Sequence, residues 1–334
     1  MGRYGRDITQ FLSISIGLNA PAGRYDAFMS FISILLALLL EQARPLAPVN
    51  AVHGTVRNWV RWVLRNLDTG KPHHAWLAWW LAVAVPATLV CALHWLLVWS
   101  LGWIAAVVWS VAILYSTLGF RQFSHHFTEI RDALHAGDED MARKRLAEWM
   151  HIDATMLPRS EIVRHVIEYS VLSAHRHVFG VFAWYSLLAA LGLGPAGAVL
   201  YRLSEFMARY ANRDVHPSGT PVSDALQRNA NAAWNVMDWV PARITALGFA
   251  FVGSFEEAVD SWRQHEAQYK GDNDGVILAA TSGAISVKLG PKERETGGQI
   301  PQPVHLRAVV GLVWRTVVMW MVFLALLSLA RLLG

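Results

Sequence analysis

Cysteine occurs once in the 334 residues, as Cys91, so no intrachain disulfide can form and no zinc site can be built on thiolates. Charge is scarce too: only 16% of the residues are Asp, Glu, Lys or Arg, against 54% hydrophobic ones. A water-soluble domain carries about a quarter charged residues. This composition, with a mean hydropathy of +0.29, is that of an integral membrane protein. No basic run is interleaved with aromatics, so the formal charge of +4 does not describe a nucleic-acid-binding surface. Basic cytoplasmic loops account for it more simply. Few polar residues line the apolar runs and no inverted repeat is visible, which argues against a transporter.

What is present is tryptophan, 16 residues of it, and a series of apolar runs. Residues 31–40 make a short one that ends at Glu41. Residues 75–99 and 102–120 are each long enough to cross a bilayer, and their link at Ser100 and Leu101 predicts a helical hairpin. Residues 178–203 are interrupted by the Gly/Pro stretch 192–197, which predicts a kinked span or a re-entrant pair of half-helices. Residues 308–333 form a last anchor. The fold class expected is an all-α polytopic integral membrane protein with about four to five membrane helices. Arg57, Arg61, Arg65 and Lys71 before the hairpin, and Arg121, Arg131, Arg143, Lys144 and Arg145 after it, place those flanks in the cytoplasm.

The polar stretches carry helical spacing as well. Phe127, Ile130 and Leu134, then Met141, Leu146 and Trp149 beyond Gly137, predict a soluble helix-turn-helix. Ser160 is the expected cap of a further helix whose buried stripe is Ile162, Val163, Val166 and Ile167. The expected organisation is an extension at 1–28 ahead of Met29, a membrane region at 29–120 and amphipathic cytoplasmic helices at 121–170. A membrane and pocket core at 171–290, a linker at 291–307 and a terminal membrane helix at 308–334 complete it.

The stretch His175-Arg176-His177 stands at the mouth of an apolar run, where a guanidinium needs a partner, a wet cavity or a ligand. Arg176 either binds an anion, such as a nucleotide phosphate or a lipid headgroup, or pairs with Glu168, Asp153 or Asp238. His175 and His177 are two apart and share no helix face, so they do not grip a metal together, and no metal site is expected. Pro241 and Arg243 are read as beginning and orienting a helix on the rim of a pocket.

The segment AAWNVMDWVPARITALGFAFVG resembles the N-W-I-P-A-R-L-T-A-L signature of the CobD/CbiB family, membrane-bound adenosylcobinamide-phosphate synthases of cobalamin biosynthesis. Three further blocks are similar to that family: ILLALLLEQARPLAPVNAVHG, GAISVKLG, and LGFRQFSHHFTEIRDALHAGDEDMARKRLAEW with Arg121 and His126 at matching places. Laid on the family's D-T-S-x-L and E-S-V-A-E-N-x-x-D-G-V-V-x-P-L-F-W blocks, the chain matches at Asp153, Thr155, Leu157, Glu168, Val178 and Trp184. It departs at the polar heart, with Leu172 and Ser173 for Glu-Asn and Arg176 and His177 for Asp-Gly. Asn273 is kept from the S-P-N-A-G-W-P-E block while Leu278 replaces its glutamate, and Asn235 replaces an aspartate.

The resemblance implies ATP-dependent amide formation between a corrinoid carboxylate and an aminopropanol phosphate, with Mg²⁺ and ATP as cofactors if that activity is retained. Asp153, Glu168 and Asp238 are its candidate catalytic acids. Arg121, His126, Arg176, Arg243 and Asn273 are its candidate ligand-binding residues, the ligand being a corrinoid or a nucleotide. MDWVPAR, with Asp238 in place of Asn, and HRHVFGVFAW are closer to the AmpE-like branch, associated with β-lactamase induction. The expected function is therefore an AmpE-like regulatory or sensing protein of the bacterial inner membrane lacking the usual acidic motif, with a divergent synthase as the alternative. Its expected surroundings are the lipid bilayer and, as an open possibility, further copies of the same chain.

Overall fold

The computed structural model describes residues 22–44, 51–212, 222–290 and 297–333; the side chains of 22–27, 51, 53, 120–124 and 332 lie outside that description. Among the described residues the regular structure is helical, apart from one isolated bridge between Val287 and Gln299. In order, the helices are α1 (Ala22–Ala43), α2 (Ala51–Leu67), α3 (Pro72–Leu101), α4 (Trp103–Thr117), α5 (Phe120–Ala136) and α6 (Glu139–Met150). They continue with α7 (Arg159–Ala174), a π-turn (His175–Phe179), α8 (Gly180–Ala190) and α9 (Ala196–Ala211). The series ends with α10 (Asp224–Val252), α11 (Phe255–Gln268), α12 (Asn273–Ile285) and α13 (Pro303–Leu333).

Two helices are long and apolar enough to cross a bilayer, α3 with 30 residues and α13 with 31, while α4 and the apolar part of α1 are shorter. At 1.5 Å per residue α3 is about 45 Å long, against a hydrocarbon core of about 30 Å. Its surface turns Trp80, Leu89, Trp95, Leu96 and Trp99 outward. Exposed apolar surface on that scale belongs against lipid rather than water. The chain is an all-α membrane protein.

The hairpin of α3 and α4 forms, but its turn is one residue later than the sequence suggests. Ser100 and Leu101 are helical, and the chain reverses at Gly102, whose φ of 82° lies in the left-handed region. A residue without a Cβ takes that conformation at no steric cost. The expected soluble helix-turn-helix is α5 and α6: Gly137 closes the first in the left-handed conformation, and Asp138 caps the second through Oδ1 to the Met141 N–H at 2.9 Å. Ile162, Val163, Val166 and Ile167 are all fully buried, as their spacing predicts. Ser160, however, lies inside α7, because Pro158 occupies the cap position with extended backbone. α1 begins at Ala22 and runs on through Met29.

Residues 178–203 resolve into a hairpin of α8 and α9 joined by the Gly/Pro turn, with α8 continuing α7 through the π-turn. A π-turn widens the helix by one residue and rotates the next segment about the helix axis. Gly180 closes it, its N–H bonded to the His175 carbonyl, and a Cβ there would lie 2.1 Å from the Tyr201 ring. The missing side chain is therefore what lets α9 come close.

Among the described residues the buried apolar side chains form two large clusters and a small third one of Ala246, Val276 and Ala280. Of the large ones, one joins α1, α4 to α8, α13 and the second half of α10; the other joins α2, the first turns of α3, the end of α9 and the first half of α10. The middle of α10 lies at their junction. There Pro241 sits inside the helix, rather than at its start as the sequence reading expects. Proline has no N–H to give the carbonyl four residues back, which is that of Met237. Trp184 supplies the missing donor from α8, its Nε1 lying 2.9 Å from that oxygen.

Replacing Trp184 with Phe keeps the ring and removes the donor. An orphaned buried acceptor costs about 1–3 kcal/mol, and that loss is expected in chemical denaturation of the protein in detergent. Adding Pro241→Ala returns a backbone N–H to the same carbonyl, so the double variant recovers part of the loss. Equal stability of Trp184→Phe and the parent would show that water serves the Met237 carbonyl instead.

Candidate functional site

The π-turn aims His175 and Arg176 at different neighbours. His175 is fully buried, with Nε2 2.8 Å from Asp238 Oδ1 and Nδ1 2.9 Å from Thr245 Oγ1. Tyr201 OH donates to the same Asp238 oxygen at 2.8 Å. A carboxylate only accepts, so the histidine proton sits on Nε2. Three helical segments are thus tied at one carboxylate, the π-turn, α9 and α10, and Thr245, about two turns beyond Asp238 on α10, holds the other side of His175. Asp238 is itself fully buried, and its second oxygen, Oδ2, has no protein donor.

Arg176 points the other way. It pairs through Nη2 with Asp274 in the first turn of α12, and its buried Nε has no acceptor. Its partner is therefore none of Glu168, Asp153 and Asp238, the acids suggested from the sequence. The Arg176 carbonyl accepts from Arg202 Nη1 at 3.4 Å. Glu205, also buried, bridges Arg202 and Arg209 at 3.2 Å each. His177 turns back to its own helix, Nδ1 lying 3.1 Å from the Ser173 carbonyl, so the two histidines diverge.

Beside them lies a cavity of about 530 Å³, within the usual range for small-molecule sites. Its wall includes Arg176, Glu205, Arg209, Trp234, Asn235 and Asp238, and Lys270, Asp272, Asn273 and Asp274 close the other side. Asn273 is held by both ends of its amide, Oδ1 accepting from Arg243 Nη1 and Nδ2 donating to the Asn235 carbonyl, each at 3.0 Å. Arg243 does not line the cavity. It lies 4.2 Å over the Trp239 ring and pairs with Glu266, whose other oxygen accepts from Trp262 Nε1 at 2.8 Å. Its role is to clamp α10, α11 and α12 behind the wall. Asp272 caps α12 through the Gly275 N–H at 3.0 Å and contacts His265 Nε2 at 3.2 Å.

Of the residues singled out from sequence, Arg176, Asp238 and Asn273 therefore meet in one cavity, with Arg243 just behind it. Asp153 and Glu168 are not part of it. Asp153 is exposed, and hydrogen bonds from the Thr155 hydroxyl and N–H hold its carboxyl below the usual range. Glu168 accepts the Gly290 N–H at 2.7 Å and joins α7 to the end of the GAISVKLG segment. His126 stacks on Trp149 at 5.8 Å within the α5–α6 pair, and Arg121 lies outside the described side chains. Among the described residues no three His, Cys, Asp or Glu side chains converge as a metal cage.

Tyr201, Glu205, Arg209, Thr245, Lys270 and Asp274 escaped the sequence reading. The spacing of Tyr201, Glu205 and Arg209 at four-residue steps was the available signal, since it puts them on one face of α9.

The CobD/CbiB family profile matches residues 31–308. The chain belongs to the CobD/CbiB family. Similar relatives include a cobalamin biosynthesis protein CobD of Stutzerimonas stutzeri, 29% identical over 88% of this chain and 96% of its own length. Another CobD, of Chromobacterium violaceum, is 30% identical over 67% of this chain and 70% of its own. A third, of Leptospira interrogans, is 28% identical over 61% of this chain and 63% of its own. No solved structure gives a significant match. Arg176, Asp238 and Asn273, from three of the segments compared with the family, line the cavity together with the Glu205 and Arg209 face of α9, and Arg243 lies directly behind it.

Glu168 offers a test by pH. Burial is the largest influence on its carboxyl and pushes it above the usual carboxylate range, despite the Gly290 N–H and Arg164. A raised folded-state value means stability that is full below the unfolded value of about 4.3 and is lost as pH climbs through the folded one. Glu168→Gln keeps an acceptor for Gly290 and cannot ionise. Melting temperature is expected to fall for the parent between pH 4 and 8 by more than for the variant, and parallel curves would refute this account of Glu168.

Proposed function

We propose that this chain is a multi-pass inner-membrane protein of cobalamin biosynthesis that makes an amide bond in an ATP-dependent reaction, joining a corrinoid carboxylate to an aminopropanol phosphate. What supports this reading most is the family match over residues 31–308; Asn273, which the family block keeps, lines one cavity with Arg176 and Asp238, which replace family residues. The cobalamin-biosynthesis name carried by relatives over nearly their whole length points the same way.

The residues divide the work by position. Lys270, exposed at the cavity wall, is a cation available to a phosphate, and Arg209, 47% exposed, stands beside it paired with Glu205. Charge-assisted bonds of this kind are the strong ones for phosphate oxygens. Asn235 and Trp234 offer a polar edge and an aromatic face between them. ATP bound with magnesium supplies the phosphoryl group that turns a carboxylate oxygen into a leaving group.

Magnesium keeps several waters and needs only one or two carboxylates beside the phosphates. Asp272 has both oxygens engaged, by Gly275 and His265. Asp274, 39% exposed, bonds Arg176 through Oδ2, so its Oδ1 is the carboxylate oxygen that fits the ion. The cavity therefore fits a phosphate-bound magnesium rather than a protein-built cage.

One observation favours a second reading, a regulatory or sensing protein of AmpE type. Where the family carries acids, this chain has Leu172, Arg176 and Leu278, and Arg176 consumes part of Asp274. Both readings meet one test. The full chain is expressed in a bacterium lacking its own adenosylcobinamide-phosphate synthase and fed cobyric acid. Cobalamin-dependent growth is expected. No growth, with the protein present in the membrane, would overturn the synthase reading and leave the regulatory one.

A further inference from the structure

Two residues of the cavity wall each hold a buried polar atom, and the two atoms have opposite needs. Arg176 Nε is a donor without an acceptor, and Asp238 Oδ2 is an acceptor without a donor. Both residues line the same cavity, and neither atom satisfies the other. Native proteins fill such gaps with ligand groups or ordered water, because a polar atom taken from water needs a partner.

The charges around the pair are already matched. The guanidiniums of Arg176, Arg202 and Arg209 face the carboxylates of Asp274, Glu205 and Asp238, and Lys270 and Asp272 add one charge of each sign. Asp238 is fully buried and Glu205 nearly so. Beside the sealed Asp238 an added anion or cation would leave one charge unmatched, whereas a neutral group would unbalance nothing. The fitting group is neutral and carries both an acceptor and a donor.

We propose that this end of the cavity is a subsite for an uncharged primary carboxamide, whose carbonyl oxygen accepts from Arg176 Nε–H and whose N–H donates to Asp238 Oδ2. Two neighbours suit it. Trp234, tilted at 47° to the Tyr201 ring with centroids 5.1 Å apart, gives the amide an apolar flank. Tyr201 and His175 both donate to Asp238 Oδ1 and so keep Oδ2 as the oxygen left for the ligand. The inference rests on the amide-synthesis reading only for the larger molecule that presents the amide; the contact belongs to the two side chains.

The same geometry predicts an inversion. In Asp238→Asn the His175 and Tyr201 donors hold the amide oxygen in place of Oδ1, so an NH₂ faces the cavity. Two donors then stand where a donor and an acceptor stood, and one negative charge is gone. The preferred ligand becomes a carboxylate.

The experiment is saturation-transfer NMR on the full chain in lipid nanodiscs, with propionamide, propionate and propylammonium as equal-sized probes. Wild type is expected to bind propionamide saturably and at least about tenfold better than either ion, and Asp238→Asn to prefer propionate by a similar factor. The wild-type ranking stands by itself should the variant fail to fold. No saturable propionamide signal, an equal or better signal from either ion, or an unchanged ranking in a folded variant would overturn the subsite. Growth in the complementation experiment without amide preference would reject the subsite alone, and amide preference without growth would reject the synthase alone.

Discussion

A carboxylate with no exposure to water needs donors, and at Asp238 this fold brings two of them, from separate helical segments, to one oxygen. His175 comes from the π-turn and Tyr201 from α9, while Asp238 itself stands in the middle of α10. Removing one member of a buried pair leaves a charge stranded, at a cost of about 3–5 kcal/mol. The helices around it are therefore not free to slide: α8 and α9 must stay close enough for Tyr201 to reach past Gly180, and α10 must keep its register against both.

Two backbone irregularities serve that constraint. The π-turn at His175–Phe179 lets His175 and Arg176 face a buried carboxylate and an open cavity from adjacent positions. In a regular α-helix adjacent side chains are about 100° apart; the wider turn resets where the second half of the helix points. Pro241 breaks the hydrogen-bond ladder of α10 one turn beyond Asp238, and Trp184 repairs it from the neighbouring helix. Both devices lie in the segments that carry the family resemblance, which gives those residues a structural reason beside any chemical one.

Electrostatics then separate a neutral interior from a charged rim. Arginines and carboxylates cancel around Arg176 and Glu205, while Lys270 and Asp274 retain exposure at the cavity. Arg243 and Asn273, both expected to touch a ligand, turn out to differ: Asn273 shows a face to the cavity, and Arg243 holds that face in place through Glu266, Trp239 and Asn273 itself. A basic residue in a signature need not be a ligand contact. It can be what keeps one helix end at the right distance from the next.

The sequence by itself determined that this is an α-helical membrane protein, because apolar runs near bilayer length and amphipathic spacing depend only on neighbours along one helix. It also supplied the hairpin at 75–120, the break at Gly137 and the family, through motifs that survive as strings. It misplaced the role of Pro241, since a proline at a helix start and one inside a helix read alike until Trp184 is seen beside it. It paired Arg176 with the wrong acids, because Asp274 lies 98 residues further along the chain. Which carboxylates are sealed, which are exposed and which atoms remain without partners was decided by tertiary structure alone. Those properties arise from burial and distance between segments, and no local pattern records them.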